Sequence, residues 1–314
     1  MASRSDTAAA ADGPSGSVAT TLSGASFVRL LARPDGDGLA AAGLLAGALR
    51  RVDVPFQVRV DSVGVDAPGA PGDGLLVGVG SERPDAEVTL AAASEPVSLR
   101  AYRIAAAMTD GADDAGPDRT LALAGAVADG AHPSSAAGDL VEAAEASGAL
   151  VRRPGVAVPV DDVVDGLAHS TLLRAPFSGD RDATAATLSL SESDGAGADD
   201  EARRTVASRV ALAVAGDDDA TPRAADAVER LLGPYCTPDA PVETLAGYAD
   251  VLTAAARERP GTGIAVALGH GGTDPPLGAW RDHGRAVPPA PEAASTPRPH
   301  GVVPAAVAGA GTPG

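Results

Sequence analysis

Between Phe27 and Arg51 the chain passes from a short apolar run, through a turn carrying two carboxylates, into leucines at helical spacing. Few folds accommodate that succession. Phe27 to Ala32 (FVRLLA) reads as a strand and Pro34 to Gly38 as a tight turn; Leu39 to Arg51 reads as a helix with Leu44, Leu45 and Leu49 along it. The alternation continues with strands around Phe56 to Val60, Leu75 to Val79 and Glu87 to Ala91, a helix from Val97 to Met108, an apolar segment Leu121 to Ala128 ending at Asp129, and a helix from Leu140 to Leu150. Strands separated by helices predict an α/β domain with a parallel sheet covered on both faces.

The rest divides by composition. Residues 1–25 are rich in small and polar residues and 286–314 in Pro, Ala and Gly; both are expected to be disordered tails. The first folded domain is placed at 26–150, with its end near Arg152 to Pro154. A connector and acidic loop occupies 151–200, with a helix at Asp161 to Leu173 and a loop from Ser178 to Glu201. A second, smaller α/β domain is placed at 201–285, with helices at Ala202 to Val214, Ala224 to Leu232 and Val242 to Arg257, and a strand at Ile264 to Leu268.

Charge narrows the setting. Asp and Glu number 42 against 24 bases, giving a net charge of −18, and every base is arginine. Acids spread along the chain, abundant alanine and scarce aromatics fit a GC-rich genome with a salt-loaded cytoplasm, as in a halophilic archaeon, with an acidic protein from an ordinary GC-rich bacterium as the alternative. The single Cys236 forms no intramolecular disulfide and fits a reducing interior. No window approaches the roughly 18 apolar residues of a membrane span, so a cytoplasmic protein is expected.

Asp35 and Asp37 stand on the turn between strand and helix, the edge at which open parallel sheets bind ligands. Two such carboxylates suit one hard cation, magnesium or manganese. By spacing alone, ordinary turn chemistry with Asp37 capping the helix is the favoured reading. The string Arg33-Pro34-Asp35-Gly36-Asp37-Gly38, followed by Leu39-Ala40-Ala41-Ala42-Gly43, resembles motif I of the DHH phosphoesterase superfamily: an apolar strand, His-x-Asp-x-Asp-Gly, and a helix of small residues. Arg33 stands at the histidine position. Leu121 to Asp129 resembles the family's motif IV, and Glu243 to Arg257 with Gly263 to Gly269 resembles the second domain of archaeal GINS-associated members.

The resemblance, over Phe27 to Gly269, implies a DHH-type parallel sheet flanked by helices with a smaller DHH-associated domain. It implies Asp35, Asp37 and Asp129 as metal ligands, Asp35 and Asp37 as catalytic if the site is active, and manganese or magnesium as cofactor. Gly269-His270-Gly271-Gly272 is similar to the nucleic-acid-binding loop of RecJ-like second domains. Two departures stand out. At motif II, where the family has an aspartate, this chain has Leu76-Val77-Gly78-Val79-Gly80; at motif III, the Asp-His-His, it has Ala92-Ala93-Ser94-Glu95-Pro96. A depleted site in a surviving scaffold implies a weakly or non-catalytic RecJ-like factor in DNA replication or repair, associated with the GINS complex and the replicative helicase. Single-stranded DNA would be a weak ligand, because the phosphate contacts that Arg50-Arg51, Arg152-Arg153 or Arg203-Arg204 would make weaken with salt. The alternative is a working metal-dependent phosphoesterase, a single-strand 5′–3′ exonuclease, drawing further ligands from Asp73, Asp110 or Asp113.

Overall fold

The computed structural model describes residues 14–61, 74–91, 93–109, 116, 118–173, 175, 177–190, 199–215 and 231–286. Four strands, β1 (Val28–Ala32), β2 (Phe56–Val60), β3 (Leu75–Gly80) and β4 (Val88–Ala91), form a parallel sheet in the order β2-β1-β3-β4. β1 is central, pairing Val28 with both Phe56 and Leu75, so the C-terminal ends of β1 and β3 lie side by side.

Helix α1 (Pro14–Ser23) precedes the sheet; α2 (Gly36–Arg51), α3 (Val97–Met108), α4 (Arg119–Ala128) and α5 (Pro133–Ala146) are interleaved with it or follow it. After the short β5 (Val151–Arg152) come α6 (Val163–His169), α7 (Arg181–Leu188) and α8 (Asp200–Ala215). Then β6 (Tyr235–Cys236) pairs antiparallel with β5, and α9 (Leu245–Glu258), α10 (Pro260–Ala267) and α11 (Asp274–Ala286) complete the described chain. The architecture is α/β, a four-stranded parallel sheet flanked by helices.

Helix α2 lies at the centre, and of its sixteen residues only Gly47, Arg50 and Arg51 escape burial. Its Ala and Gly residues permit this, because helices pack on it at close range. A Cβ on Gly43 would lie 2.6 Å from the Ala267 carbonyl oxygen of α10, and one on Gly125 of α4 would lie 2.6 Å from the Ala40 Cβ. Two clusters of buried apolar residues result. The first joins the sheet, α1 to α4 and the described C-terminal helices, including Leu252 and Trp280; the second runs from Val156 to Leu231 and contains Phe177, Leu188 and Val210.

The clusters do not follow the division expected from composition. The helices assigned to a separate C-terminal domain at 201–285 share the core of the sheet from Val242 onward, whereas the 151–200 connector and α8 build the second core. Three local expectations are corrected. Within the 1–25 tail, α1 buries Ala19 and Leu22 against the first core, since one apolar face of ten residues is enough once a groove exists. Ile264 to Leu268 lies in and just after α10 rather than forming a strand: a short apolar run has no diagnostic period, and Pro260 starts the helix. The loop at 178–201 contains α7, whose start is fixed by the Asp180 carboxylate accepting from Ala183 N. The acidic helix at 161–173 shortens to α6. Residues 1–13 and 287–314 and most of the 224–232 helix lie outside the described residues.

Candidate functional site

The three aspartates expected to form the site converge. Asp35 is the N-cap of α2, its Oδ1 accepting from Gly38 N at 2.8 Å. The glycine at 38 is sterically required there, since a Cβ would fall 2.5 Å from the Arg33 carbonyl oxygen. Asp37, in the first turn of α2, is buried, and its two oxygens accept from the first backbone N–H groups of α3: Val97 N to Oδ2 at 2.8 Å and Ser98 N to Oδ1 at 2.9 Å. Helix N-termini favour such anions. The cap of α2 is therefore Asp35, and Asp37 caps the start of α3. Asp129 ends α4, which the close approach at Gly125 holds against α2 and α3.

What gathers them is Arg33. Its Nε donates to Asp35 Oδ2; its Nη2 donates to Asp129 Oδ1 at 3.1 Å and stands 3.7 Å from Asp37 Oδ2; its Nη1 donates to the Gly80 carbonyl oxygen at 3.3 Å. Burial opposes the guanidinium charge, but Asp35, then Asp37 and Asp129, outweigh it and raise the Arg33 pKa above its ordinary value. Asp37 is shifted the other way for an acid: burial raises its pKa, against the hydrogen bonds from Ser98 and Val97, with Asp129 adding to the rise.

A pair of divalent cations does not fit these residues. Arg33 fills the space between Asp35 and Asp129, and both Asp37 oxygens are committed to backbone donors. Among the described residues no group of three or more His, Cys, Asp or Glu side chains has metal-holding geometry. At the motif II position Gly78 brings no ligand. At motif III, Glu95 pairs with Arg103 through Oε1 at 2.7 Å, and Pro96 leads into α3. Asp73, Asp110 and Asp113 lie outside the described residues.

The Gly269-His270-Gly271-Gly272 loop is not brought to this site. It follows α10 at the far end of α2, where His270 Nε2 meets Arg50 Nη1 at 3.0 Å. Arg50 lies fourteen residues beyond Gly36, roughly 20 Å along the helix axis. Gly269 and Gly271 have positive φ (70° and 84°), as their turns require. Of the other arginine pairs, Arg152 stacks 4.9 Å over the Tyr235 ring. Burial pushes the Cys236 thiol pKa up, away from reactivity.

Sequence reasoning missed the role of Arg33, which it counted as a lost histidine. The available signal was its spacing, two and four residues before the two aspartates.

This arrangement, carboxylates at the C-terminal edge of a parallel sheet gathered by an arginine, sits in a fold that a solved structure shares. The chain is similar to CDC45 from Entamoeba histolytica, with a TM-score of 0.51 at 9% sequence identity over 85% of this chain and 71% of that one. That likeness establishes the fold class. No protein-family model matches the sequence. The chain is 45% identical over 288 residues to the uncharacterized protein rrnAC1427 of Haloarcula marismortui, covering 90% of this chain and 72% of that protein, and it belongs to that protein's family. Among the described residues no helix is long and apolar enough to cross a membrane.

Proposed function

We propose that the protein is a non-catalytic RecJ-like factor of DNA replication that associates with the GINS complex and the replicative helicase, its phosphoesterase centre reduced to a structural one. The observation that carries this reading is the commitment of the three aspartates: Asp37 to the α3 N-terminus, Asp35 and Asp129 to the Arg33 guanidinium. Two-metal hydrolysis of a phosphodiester needs two cations about 4 Å apart, one for the attacking water and one for the leaving oxygen. The anionic ligands that would hold them are engaged elsewhere or replaced by glycine. The CDC45-like fold supports the reading, as does the motif I resemblance at Asp35, Asp37 and Gly38.

The test pairs an activity with an association, both in concentrated potassium chloride. Full-length protein incubated with manganese and end-labelled single-stranded DNA is expected to release no nucleotides, and purified GINS from the same organism is expected to co-elute with it. Manganese-dependent release that Asp35→Ala abolishes would establish the exonuclease instead.

A further inference from the structure

We propose that Arg33 is the permanent counter-ion of the three-aspartate centre, taking the place of a phosphoesterase metal: with this guanidinium present the centre holds no divalent cation, and with it removed Asp35 and Asp129 are free to hold one. The inference rests on reading the centre as a DHH-type remnant, and goes beyond it by assigning the lost histidine a replacement function.

Arg33 bridges the first and third carboxylates and stands against the second, so one side chain ties the β1–α2 turn to the end of α4. Holding distant segments together through convergent carboxylates is the structural service a bound metal performs. A guanidinium can do the same through its planar fork of donors, and it stays charged at every accessible pH. It brings one charge to three carboxylates, so its removal leaves a concentrated negative site.

The oxygens it would release are specific. Asp35 Oδ2 and Asp129 Oδ1 lose their donor, while Asp35 Oδ1 stays with Gly38 N and Asp37 stays with α3. The Asp35 and Asp129 side chains are 28% and 37% exposed, which leaves room for coordinated water. One or two carboxylates completed by water is how magnesium-sized cations are commonly held.

The end of β3 fits the same account. Arg33 N donates to the Val79 carbonyl oxygen at 2.8 Å, and its side chain lies over Gly80, whose φ is +87°. A Cβ on Gly80 would stand 2.9 Å from the Arg33 Cβ. The side-chain-free end of β3 thus lets the start of the β1–α2 turn lie directly against it, which brings the Arg33 guanidinium to the Gly80 carbonyl oxygen.

The experiment compares full-length wild type with Arg33→Gln, Arg33→His and Arg33→His combined with Asp35→Asn. Manganese binding is followed by calorimetry, and thermal unfolding by Trp280 fluorescence, with EDTA as the metal-free reference. The wild-type midpoint should be the same in EDTA and manganese. Arg33→Gln and Arg33→His should unfold earlier in EDTA, bind one manganese at least roughly tenfold more tightly than wild type, and recover midpoint as they bind; Asp35→Asn should remove that binding. Wild type binding manganese as tightly as the variants would overturn the proposal, and so would variants that gain no binding, including an Arg33→Gln chain unfolded in EDTA that manganese does not refold. Such failure with GINS association intact leaves the functional reading standing, whereas DNA cleavage by wild type ends that reading by itself.

Discussion

Asp37 is the residue on which local geometry at the centre turns. Its carboxylate is 1% exposed, and burial holds its pKa above the ordinary aspartate value, so ionising it in the folded protein is unfavourable relative to the unfolded chain. That cost is constant above the raised folded pKa and relaxes as pH falls through it toward the unfolded value. What keeps the aspartate useful is that both oxygens accept from α3 N–H groups that would otherwise be buried without partners. Asp37→Asn keeps the shape but turns an NH2 group toward one of those donors. It should destabilise the protein by about 1–3 kcal/mol, the cost of an unsatisfied buried polar group, measured by guanidinium unfolding at neutral pH. A loss near zero would mean that α3 finds another cap.

At the scale of elements, the fold depends on how closely helices approach α2, and two glycines in that helix separate packing from propensity. Gly43 faces the backbone of α10, where an added Cβ would stand 2.6 Å from a carbonyl oxygen; Gly47 has nothing within 4 Å of its Cβ position. Gly43→Ala should therefore destabilise by about 1–3 kcal/mol through overpacking. Gly47→Ala should stabilise by up to about 1 kcal/mol through helix propensity. Thermal melts of the two variants beside wild type would show shifts of opposite sign; shifts of the same sign would mean that α10 does not sit against α2 as described.

Across the whole molecule, polar bridges join the two cores. Asp250 of α9 accepts from Ser170 Oγ at 3.1 Å, Thr171 N at 3.0 Å and Trp280 Nε1 at 2.9 Å. Asp165 of α6 receives Arg281 of α11 (Nη2 at 2.8 Å), Arg181 of α7 (Nη1 at 3.2 Å) and His169 Nδ1 at 3.1 Å. Burial would raise the Asp165 pKa, but His169 and Arg281 outweigh it and hold the carboxyl far below the usual range. A depressed folded pKa stabilises the protein above the unfolded value, near ~3.9 for aspartate, and that contribution is lost as pH falls through the folded pKa. Guanidinium midpoints taken from neutral pH down to about pH 3 should fall more steeply for wild type than for Asp165→Asn. Equal slopes would exclude Asp165 as a source of acid sensitivity.

The order of strands and helices from Phe27 to Met108, and the pair of carboxylates on the first turn, were legible in the sequence because hydrophobic period and turn residues are local signals. Asp129 entered only through the resemblance of Leu121 to Asp129 to a family motif, since its apolar helix alone reads as an ordinary helix end. Short segments carried too little pattern: α1, α7 and α10 are helices because each finds a groove or a cap, and an apolar run like Ile264 to Leu268 suits strand and helix alike until its neighbours are placed. The assignment of Val242 to Trp280 to the first core is likewise a packing outcome, set by close approaches such as Gly43 against Ala267. Arg33 shows the same limit at one residue. The sequence placed it where a histidine was expected, but only the folding of α4 and β3 against the β1–α2 turn brings its guanidinium to Asp129 and Gly80, because charge pairing between residues 96 positions apart is decided by tertiary distance.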